Sequence, residues 1–214
     1  MIRKYKHILW DWNGTLLDDA DLCFTTVNTL LTRRNLPQIK DIHTYRNIFG
    51  FPIIDYYRRA GFDFEKEPFE IPAAEFIELY HSDEMQFRLF PNAIKTLTKI
   101  GKMNIQQAIL SASEVNNLHL QVNLLGVRHF FDALVGISNI YAPSKIAVGQ
   151  KYIAENKIDL SKTVLIGDTA HDFDVSKALG IDCILIPNGH QQKSRLRECG
   201  VTVIDSLEDL FDKI

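Results

Sequence analysis

Short apolar runs alternate with helix-like segments along residues 91–214, and this alternation constrains the fold more than any other feature. Predicted strands cover residues 105–110, 133–137, 163–166, 183–186 and 201–204. Predicted helices cover about 113–125 and 207–214, another begins near Ser144 or Lys145, and a further one ends at Gly180. Repeated strand–helix units with nearly continuous apolar strands predict a parallel sheet covered by helices on both faces.

A further apolar run, residues 8–10, ends abruptly in Asp11. Asn13, Gly14 and Thr15 follow it as a turn. Asp11 is therefore expected at the carboxyl end of a buried strand, where open α/β sheets bind their ligands. A charge there is costly unless a metal or hydrogen bonds compensate it, so Asp11 is a candidate functional residue.

Residues 18–88 have a different texture, with apolar residues at helical spacing and frequent Gly and Pro. Helices are predicted from about 18 to 34, at 41–48, at 53–60 and from 73 to about 88. Because no strand-like run interrupts this segment, we predict an all-helical insertion.

Composition excludes several classes of protein. Hydrophobic residues make up 46% of the chain and charged residues 24%, with a formal net charge of −3. These values favour a globular protein that binds neither nucleic acid nor membranes. The apolar run near the amino terminus is too short for a signal peptide, and three cysteines without ligand spacing favour a cytoplasmic protein with reduced thiols. Oligomeric state stays open.

Three polar residues follow predicted strand ends: Asp11, Ser111 and Asp168. Ser111 alone is better explained as a helix cap. The carboxyl ends of parallel strands share one edge, however, so all three are expected to converge on one crevice.

The residue types at that edge suit phosphoryl transfer. Asp168 and Asp172, facing Asp11, would offer oxygen ligands to a hard cation, most plausibly Mg²⁺. Lys145 offers a positive charge for an anionic group, and Ser111 offers a hydroxyl beside main-chain N–H donors. Stabilisation of charge on the phosphoryl oxygens is most of the work in this reaction.

These residues resemble the four motifs of the haloacid dehalogenase superfamily. The matching segments are Asp11-Trp-Asn-Gly-Thr-Leu, Ser111, Lys145 and Gly167-Asp-Thr-x-x-Asp172. The resemblance implies a Rossmann-like core at 1–17 and 89–214, with a helical cap at 18–88. It also implies a Mg²⁺-dependent phosphatase that acts on a small phosphorylated metabolite, phosphoglycolate-like in type.

The resemblance further assigns roles to residues. Asp11 would be the nucleophile that forms an aspartyl-phosphate. Asp11, the main-chain carbonyl of Asn13 and Asp168 would hold Mg²⁺. Asp172 would orient Lys145 or a metal-bound water.

The remaining roles concern the substrate. Ser111, the adjacent Ala112 amide and Lys145 would bind the phosphoryl group. Trp12 would face the cap and shape the pocket. A cap loop carrying Tyr45, Arg46, Phe49 and Phe51 would approach the substrate, whereas His171 is expected to face solvent and residues 188–190 to form a turn.

Asn13 departs from the phosphatase pattern. Phosphatases of the family carry an Asp two residues after the nucleophile as general acid and base, and an amide cannot transfer a proton. General acid–base help is typically worth ~10²–10⁴-fold in rate.

Four explanations of Asn13 stay open. The chain is a natural enzyme that weakly hydrolyses substrates with good leaving groups, it carries an engineered substitution, it uses another mechanism, or it is a phosphometabolite-binding or regulatory protein. The third includes the phosphonoacetaldehyde hydrolases, which use a cap lysine; Lys40 and Lys66 are the lysines of the insertion. Dehalogenases lack the metal-binding fourth motif, so Asp168 and Asp172 argue against them.

Overall fold

The computed structural model describes residues 1–82, 87–138 and 144–212. Its strands and α-helices, in chain order, are β1 (His7–Trp10), α1 (Ala20–Arg33), α2 (Ile42–Ile48), α3 (Ile53–Ala60), α4 (Glu70–Tyr80), α5 (Ala93–Gly101), β2 (Gln106–Glu114), α6 (Val115–Leu124), β3 (Ala133–Ile137), α7 (Ile146–Glu155), β4 (Thr163–Gly167), α8 (Ala170–Leu179), β5 (Asp182–Leu185), α9 (Lys193–Arg197) and β6 (Thr202–Val203). The strands form one sheet in the order β3-β2-β1-β4-β5-β6, and all neighbours are parallel. The predicted α/β class is confirmed.

The apolar strands are buried on both faces because successive side chains alternate between them. Ile8 and Trp10 of β1 belong to the core that α5 and α6 cover. Leu9 belongs to a second core on the opposite face, together with Val175 and Leu179 of α8 and apolar residues of α7. Strand β1 lies in the middle of the sheet, so Asp11 emerges at the centre of the carboxyl edge, where its N–H donates to the Ile166 carbonyl over 2.8 Å.

The predicted helical insertion is also confirmed. Helices α1 to α4 lie between β1 and β2, and α1 packs against both α2 and α4. The chain enters and leaves this segment side by side: the Asp18 N–H donates to the Arg88 carbonyl (2.8 Å) and the Phe90 N–H to the Leu16 carbonyl (3.0 Å). This pairing brings together the two segments through which the chain enters and leaves the insertion.

One predicted helix has the wrong limits. The helix expected from 73 to about 88 is α4, which begins at Glu70 and ends at Tyr80. Residues 83–86 of the predicted span lie outside the described residues. Arg88 and Phe90 are extended because their backbone groups bond to residues 16 and 18 instead of to a preceding helical turn.

Strand β2 is longer than predicted and contains Ser111 within it. Its pairing with β3 shifts register between Leu110 and Glu114, an irregularity typical of functional sheet edges. Helix α6 begins at Val115 and not at Ser113, because the Glu114 carboxylate accepts hydrogen bonds from the N–H groups of Asn116 and Asn117 as its cap.

Two helices were not predicted. Helix α5 buries Ala93, Leu97 and Ile100, a helical spacing that the sequence does display. Helix α9 spans a single short stretch, too brief for periodicity to reveal. The expected helix at 207–214 is a 3₁₀ helix over Leu207–Phe211, and residues 213–214 lie outside the described residues.

Candidate active site

Asp11, Asp168, Asp172 and Lys145 meet at the carboxyl edge of the sheet, as the strand ends predicted. One oxygen from each carboxylate lies within 4.8 Å of the other two. The Lys145 Nζ contacts Asp11 Oδ1 and lies 2.7 Å from Asp172 Oδ1. All four side chains are buried. We call these four side chains at the carboxyl edge the charged centre.

The sequence between β4 and α8 holds two of these carboxylates in place. Thr169 and Asp172 form a capping box, in which Asp172 Oδ2 accepts from the Thr169 N–H at 3.0 Å. The same oxygen also accepts from the Thr169 hydroxyl at 2.7 Å. A Cβ at Gly167 would overlap the Asp172 side chain, so the motif requires glycine there. Thr15 joins the two strand ends, since its hydroxyl lies 3.1 Å from Asp11 Oδ2 and 3.3 Å from Asp168 Oδ1.

Burial dominates the electrostatics of the centre. It raises the pKa of Asp11 to about 6, with Asp172 adding to the rise and Lys145 opposing it. Burial, followed by the Asp11 and Asp172 charges, raises the pKa of Asp168 to about 8, against the opposing effect of His190. Burial would also raise the pKa of Asp172, but Lys145 and Thr169 hold it below its usual value. Asp11 and Asp172 likewise keep the pKa of Lys145 above its usual value despite burial.

A buried ion pair lies behind this centre. His190 Nε2 is 3.3 Å from Asp19 Oδ1, and His190 Nδ1 is 2.8 Å from the Tyr45 hydroxyl. Burial would lower the pKa of His190, yet Asp19 and then Asp168 raise it to about 9, so the ring carries a positive charge at neutral pH. The His190 N–H also donates to Asp168 Oδ2 over 2.6 Å.

The donor set fits a divalent cation. Four buried carboxylates face two cationic side chains here: Asp11, Asp19, Asp168 and Asp172 against Lys145 and His190. Once all four carboxylates have lost their protons, as cation binding requires of the ligands, the group holds two more negative than positive charges, which one divalent cation would balance. Oxygen ligands of this kind suit Mg²⁺. Asp11 and Asp168 are the residues placed to hold it together, because both carboxylates follow strand ends at the cavity and share contact with the Thr15 hydroxyl.

Two glycines let the backbone close around Asp168. Gly14 has a φ of +71°, and a Cβ there would overlap both the Asp168 carboxylate and the His190 ring. A Cβ at Gly189 would overlap the same carboxylate and the Gly14 backbone. The loops after β1 and β5 therefore pack directly on the Asp168 side chain.

Both ends of the Asn13 amide have partners. Its Nδ2 donates to Asp19 Oδ2 (2.7 Å) and to the Tyr80 hydroxyl (3.0 Å). Its Oδ1 accepts from the Ser113 hydroxyl over 2.6 Å. Asp19 also accepts from the Gly14 N–H (2.9 Å) and from Tyr80 (2.7 Å). Tyr80 is the last residue of α4, so this network connects the nucleophile loop to the insertion.

A cavity of about 220 Å³ opens above the charged centre. Asp11, Asn13, Ser111, Ala112 and Lys145 all line it, as do Asp168 and Asp172. The Ser111 hydroxyl accepts from the Ser113 N–H at 3.0 Å, which fixes the bend in β2 at the cavity wall.

Trp12 is the exception among the predicted site residues. It is fully buried in the core, and its Nε1 donates to Gln121 Oε1 at 2.8 Å. It does not line the cavity, so the expectation that it shapes the pocket is wrong. Gln121 itself reaches the cavity and donates to the Tyr80 hydroxyl over 3.3 Å.

The insertion contributes aromatic walls. Tyr45, Phe49 and Phe51 line the cavity as expected, but Arg46 does not: it donates to the main-chain carbonyls of Gly189 and Asn188. His171, expected to face solvent, lines the cavity and stacks on Phe51 at a centroid distance of 4.3 Å.

Sequence reasoning missed Asp19, Tyr80 and His190. The sequence predicts a simple turn at residues 188–190, but these residues belong to the loop that follows β5 at the same edge of the sheet as Asp11. His190 could therefore have been expected near the site, as a residue of a loop at the carboxyl edge. Asp19 and Tyr80 carried no such signal, because their meeting depends on how α1 and α4 pack.

A parallel sheet with a helical insertion after its central strand, and an Asp–Lys–Asp cluster at the carboxyl edge, defines an enzyme of the Rossmann-like α/β class. The family model described as haloacid dehalogenase-like hydrolase matches residues 8–186. The chain belongs to this family of hydrolases.

Curated relatives are distant. The chain is 22% identical over 218 aligned positions to a phosphoglycolate phosphatase of Pseudomonas savastanoi pv. phaseolicola, covering 96% of this chain and 78% of the relative. It is 22% identical over 192 positions to an N-acetylmuramic acid 6-phosphate phosphatase of Pseudomonas putida, covering 87% and 85%. A haloacid dehalogenase-like hydrolase from Streptococcus pneumoniae has a similar fold, with a TM-score of 0.84 at 20% identity and 97% of each chain covered.

No helix within the described parts of the chain is long and apolar enough to cross a membrane.

Proposed function

We propose that this chain is a Mg²⁺-dependent phosphatase that hydrolyses a small phosphorylated metabolite through an aspartyl-phosphate on Asp11. The observation that carries the proposal is the position of Asp11: its carboxylate is bonded to Lys145 and Thr15, beside Asp168, at the floor of the cavity. The phosphatase names of the two curated relatives support the same reaction class.

In this proposal Asp11, the main-chain carbonyl of Asn13 and Asp168 would hold Mg²⁺. When bound, the cation supplies positive charge that reduces the repulsion between the phosphate and the Asp11 carboxylate. Asp172 is a positioning residue, because it fixes Lys145 through the 2.7 Å ion pair.

Lys145, the Ser111 hydroxyl and the Ala112 N–H bind the phosphoryl oxygens in the first step. An Asp11 oxygen attacks phosphorus, the bond from phosphorus to the ester oxygen breaks, and the leaving alkoxide takes a proton from water. In the second step a water molecule attacks phosphorus, gives up a proton to solvent and releases Asp11 with inorganic phosphate. Lys145 provides the charge stabilisation that both steps need.

Asn13 cannot donate the proton to the alkoxide or remove one from the attacking water. We therefore expect the best turnover with substrates whose leaving groups need no protonation, such as acyl and aryl phosphates. Loss of general acid–base help corresponds to ~10²–10⁴-fold in rate for alkyl esters.

The insertion, residues 18–88, acts in this proposal as a cap on a core of residues 1–17 and 89–214. The paired segments at 16–18 and 88–90 are the connections about which it would open and close. Closure excludes water while the phosphoryl group moves.

A phosphometabolite-binding or regulatory protein with little turnover is the second candidate, and the fully bonded Asn13 amide favours it. A mechanism based on a cap lysine has less support. Lys40 and Lys66 are exposed and do not line the cavity.

The test is Mg²⁺-dependent phosphate release from acetyl phosphate and phenyl phosphate. Asp11→Asn should abolish release, whereas Asp55→Asn, at an exposed ion pair of α3, should leave it unchanged. Calorimetry with inorganic phosphate separates the two candidates. Tight binding without any turnover would favour the binding protein, and unchanged turnover in Asp11→Asn would refute the proposed nucleophile.

A further inference from the structure

The cavity above the charged centre has a polar floor and an apolar upper wall. The floor consists of the strand-end residues described above. The wall comes from the insertion and is made largely of aromatic and aliphatic side chains: Phe49, Phe51, Ile53, Phe69, Phe76 and Ile77. The phosphate must lie on the floor beside Asp11, so the organic group of the substrate lies against this wall.

The wall offers no cation to an anionic group. Among the described residues that line the cavity, Lys145 is the one lysine or arginine, and it is bonded to Asp11 and Asp172. Three arginines near the cavity donate to main-chain carbonyl groups and do not line the cavity. Arg59 donates to the Ile48 carbonyl, Arg195 to the Phe49 carbonyl and Arg46 to the loop after β5.

The histidines of the cavity are already engaged. His190 is paired with Asp19 and Tyr45. His171 lies 3.4 Å from the Ser144 hydroxyl and stacks on Phe51. His81 packs edge-on against the rings of Tyr80 and Phe87. The positive charge of His190 is therefore already paired with Asp19, and the other two rings are held by the contacts just described.

Glu114 adds a negative charge at the cavity. It lines the cavity while capping α6. A second anionic group on the substrate would therefore meet Glu114 and hydrocarbon without a cation to pair with. Burying a charge in such surroundings is strongly unfavourable, whereas burying an apolar group there is favourable.

We infer that the substrate is a phosphate ester or anhydride whose organic group is uncharged and largely apolar, and not a carboxylate-bearing phosphometabolite. The inference rests on the proposed function of the same site. It separates this chain from phosphoglycolate and from N-acetylmuramic acid 6-phosphate, which both carry a carboxylate besides the phosphate.

A matched pair of substrates tests this directly. We expect 4-methylphenyl phosphate to exceed 4-carboxyphenyl phosphate in kcat/KM by about tenfold or more, the effect of leaving a buried charge unpaired. The corresponding phosphonates, which cannot be hydrolysed, test binding alone: 4-methylphenylphosphonate should bind more tightly than 4-carboxyphenylphosphonate in calorimetry with Mg²⁺.

A charge placed on the wall should reverse the preference. Ile77 is half-buried and lines the cavity, whereas Ile71 of the same helix is 46% exposed and does not. Ile77→Lys should therefore improve 4-carboxyphenylphosphonate binding relative to the methyl compound, and Ile71→Lys should leave the ratio unchanged.

The outcomes separate the inference from the proposed hydrolysis. Equal or tighter binding of 4-carboxyphenylphosphonate by the unmodified chain would overturn the inference, even if both esters were hydrolysed. Selective binding of 4-methylphenylphosphonate without hydrolysis of either ester would uphold the ligand class and refute the proposed phosphatase.

Discussion

The Asn13 amide and the Asp19 carboxylate form a hydrogen bond of 2.7 Å, in which Nδ2 donates to Oδ2. Asp19 is buried and also accepts from Gly14 and Tyr80. Burial would raise the pKa of Asp19, but His190, Asn13 and Tyr80 hold it below its usual value. A carboxylate at position 13 would face a second carboxylate at that distance. Asn13 is therefore the residue that the surrounding network requires.

This relationship predicts that Asn13→Asp alone restores little acid–base catalysis. Two adjacent buried carboxylates must share a proton, which raises the pKa of one and weakens folding. The double variant Asn13→Asp/Asp19→Asn keeps one amide and one carboxylate in contact with their positions exchanged. We expect the double variant to hydrolyse an alkyl ester, propyl phosphate, at least ~10-fold faster than Asn13→Asp, part of the ~10²–10⁴-fold that general acid–base help supplies.

The measurement is kcat/KM for propyl phosphate, with thermal unfolding to detect loss of the fold. Asp19→Asn alone is the control, because it removes the same charge beside His190 without adding an acid at position 13. Equal rates for the single and double variants would show that Asp19 does not restrict position 13.

The same amide predicts that the phosphorylated protein accumulates. The second step lacks a base for the attacking water, while an acyl phosphate needs no acid in the first step. Mixing the protein with acetyl phosphate and Mg²⁺ should give an early burst of acetate release, of about one equivalent per site, before slower steady release of phosphate. Mass spectrometry of the acid-quenched protein should place the phosphoryl group on Asp11. A constant rate of acetate release from the first turnover, with no phosphorylated Asp11, would show that the second step is not the slower one.

The charged centre could be predicted because parallel strands place their carboxyl ends at one edge. Asp11 and Asp168 needed only that rule and the apolar runs before them. The network around Asp19 could not be predicted from the sequence. The contact between Asp19 and Tyr80 depends on the packing of α1 on α4, and these two helices are far apart in sequence. Ser111 lies between these cases. Its position at the carboxyl edge is predicted, but the irregular pairing of β2 with β3 next to it has no sequence signature.

Lys145 should matter for stability as well as for activity. Removing one partner from a buried ion pair leaves an uncompensated charge and costs ~3–5 kcal/mol. We expect Lys145→Met, which keeps the side-chain length, to lower the free energy of unfolding by about that amount at neutral pH in the absence of divalent cations. Mg²⁺ should restore part of the loss, because it supplies positive charge to the same carboxylates.

Urea unfolding with and without Mg²⁺ checks this expectation. Lys151→Met is the matched control on the same helix, where the ion pair with Glu155 is exposed. If both variants were equally stable, the Asp11–Lys145–Asp172 contacts would contribute no net stability.

Protonation of the carboxylates predicts how stability and metal binding change with pH. The pKa values of Asp11 (about 6) and Asp168 (about 8) exceed their ordinary value of 3.8, so the folded state binds more protons than the unfolded state between these values. Stability from these two groups is therefore present below pH 3.8 and is lost as the pH rises towards 8. The pKa of His190 is raised from 6.5 to about 9, so the stability that His190 contributes is also lost as the pH rises from 6.5 to 9.

Thermal unfolding without divalent cations should accordingly show a falling Tm from pH 6 to pH 9. Mg²⁺ competes with protons for the carboxylates, so the Tm increase on adding Mg²⁺ should grow over the same range. Asp168→Asn removes the carboxyl group whose pKa is raised more. In this variant the Tm increase on adding Mg²⁺ should change little with pH. A Mg²⁺-induced shift that shrinks as the pH rises would contradict the assignment of Asp168 as a ligand.

Gly189 packs so closely on the Asp168 carboxylate that a larger residue there should disturb the site. A Cβ at this position would overlap both that carboxylate and the Gly14 backbone, so neither loop can retreat without moving the site. We expect Gly189→Ala to destabilise the fold by ~1–3 kcal/mol, the usual cost of overpacking, and to weaken Mg²⁺ binding because Asp168 is displaced. Gly101→Ala, where a Cβ meets open space at the end of α5, should do neither. Calorimetric titration with Mg²⁺ alongside urea unfolding separates the two effects. Unchanged Mg²⁺ affinity in Gly189→Ala would mean that the loop after β5 does not position Asp168.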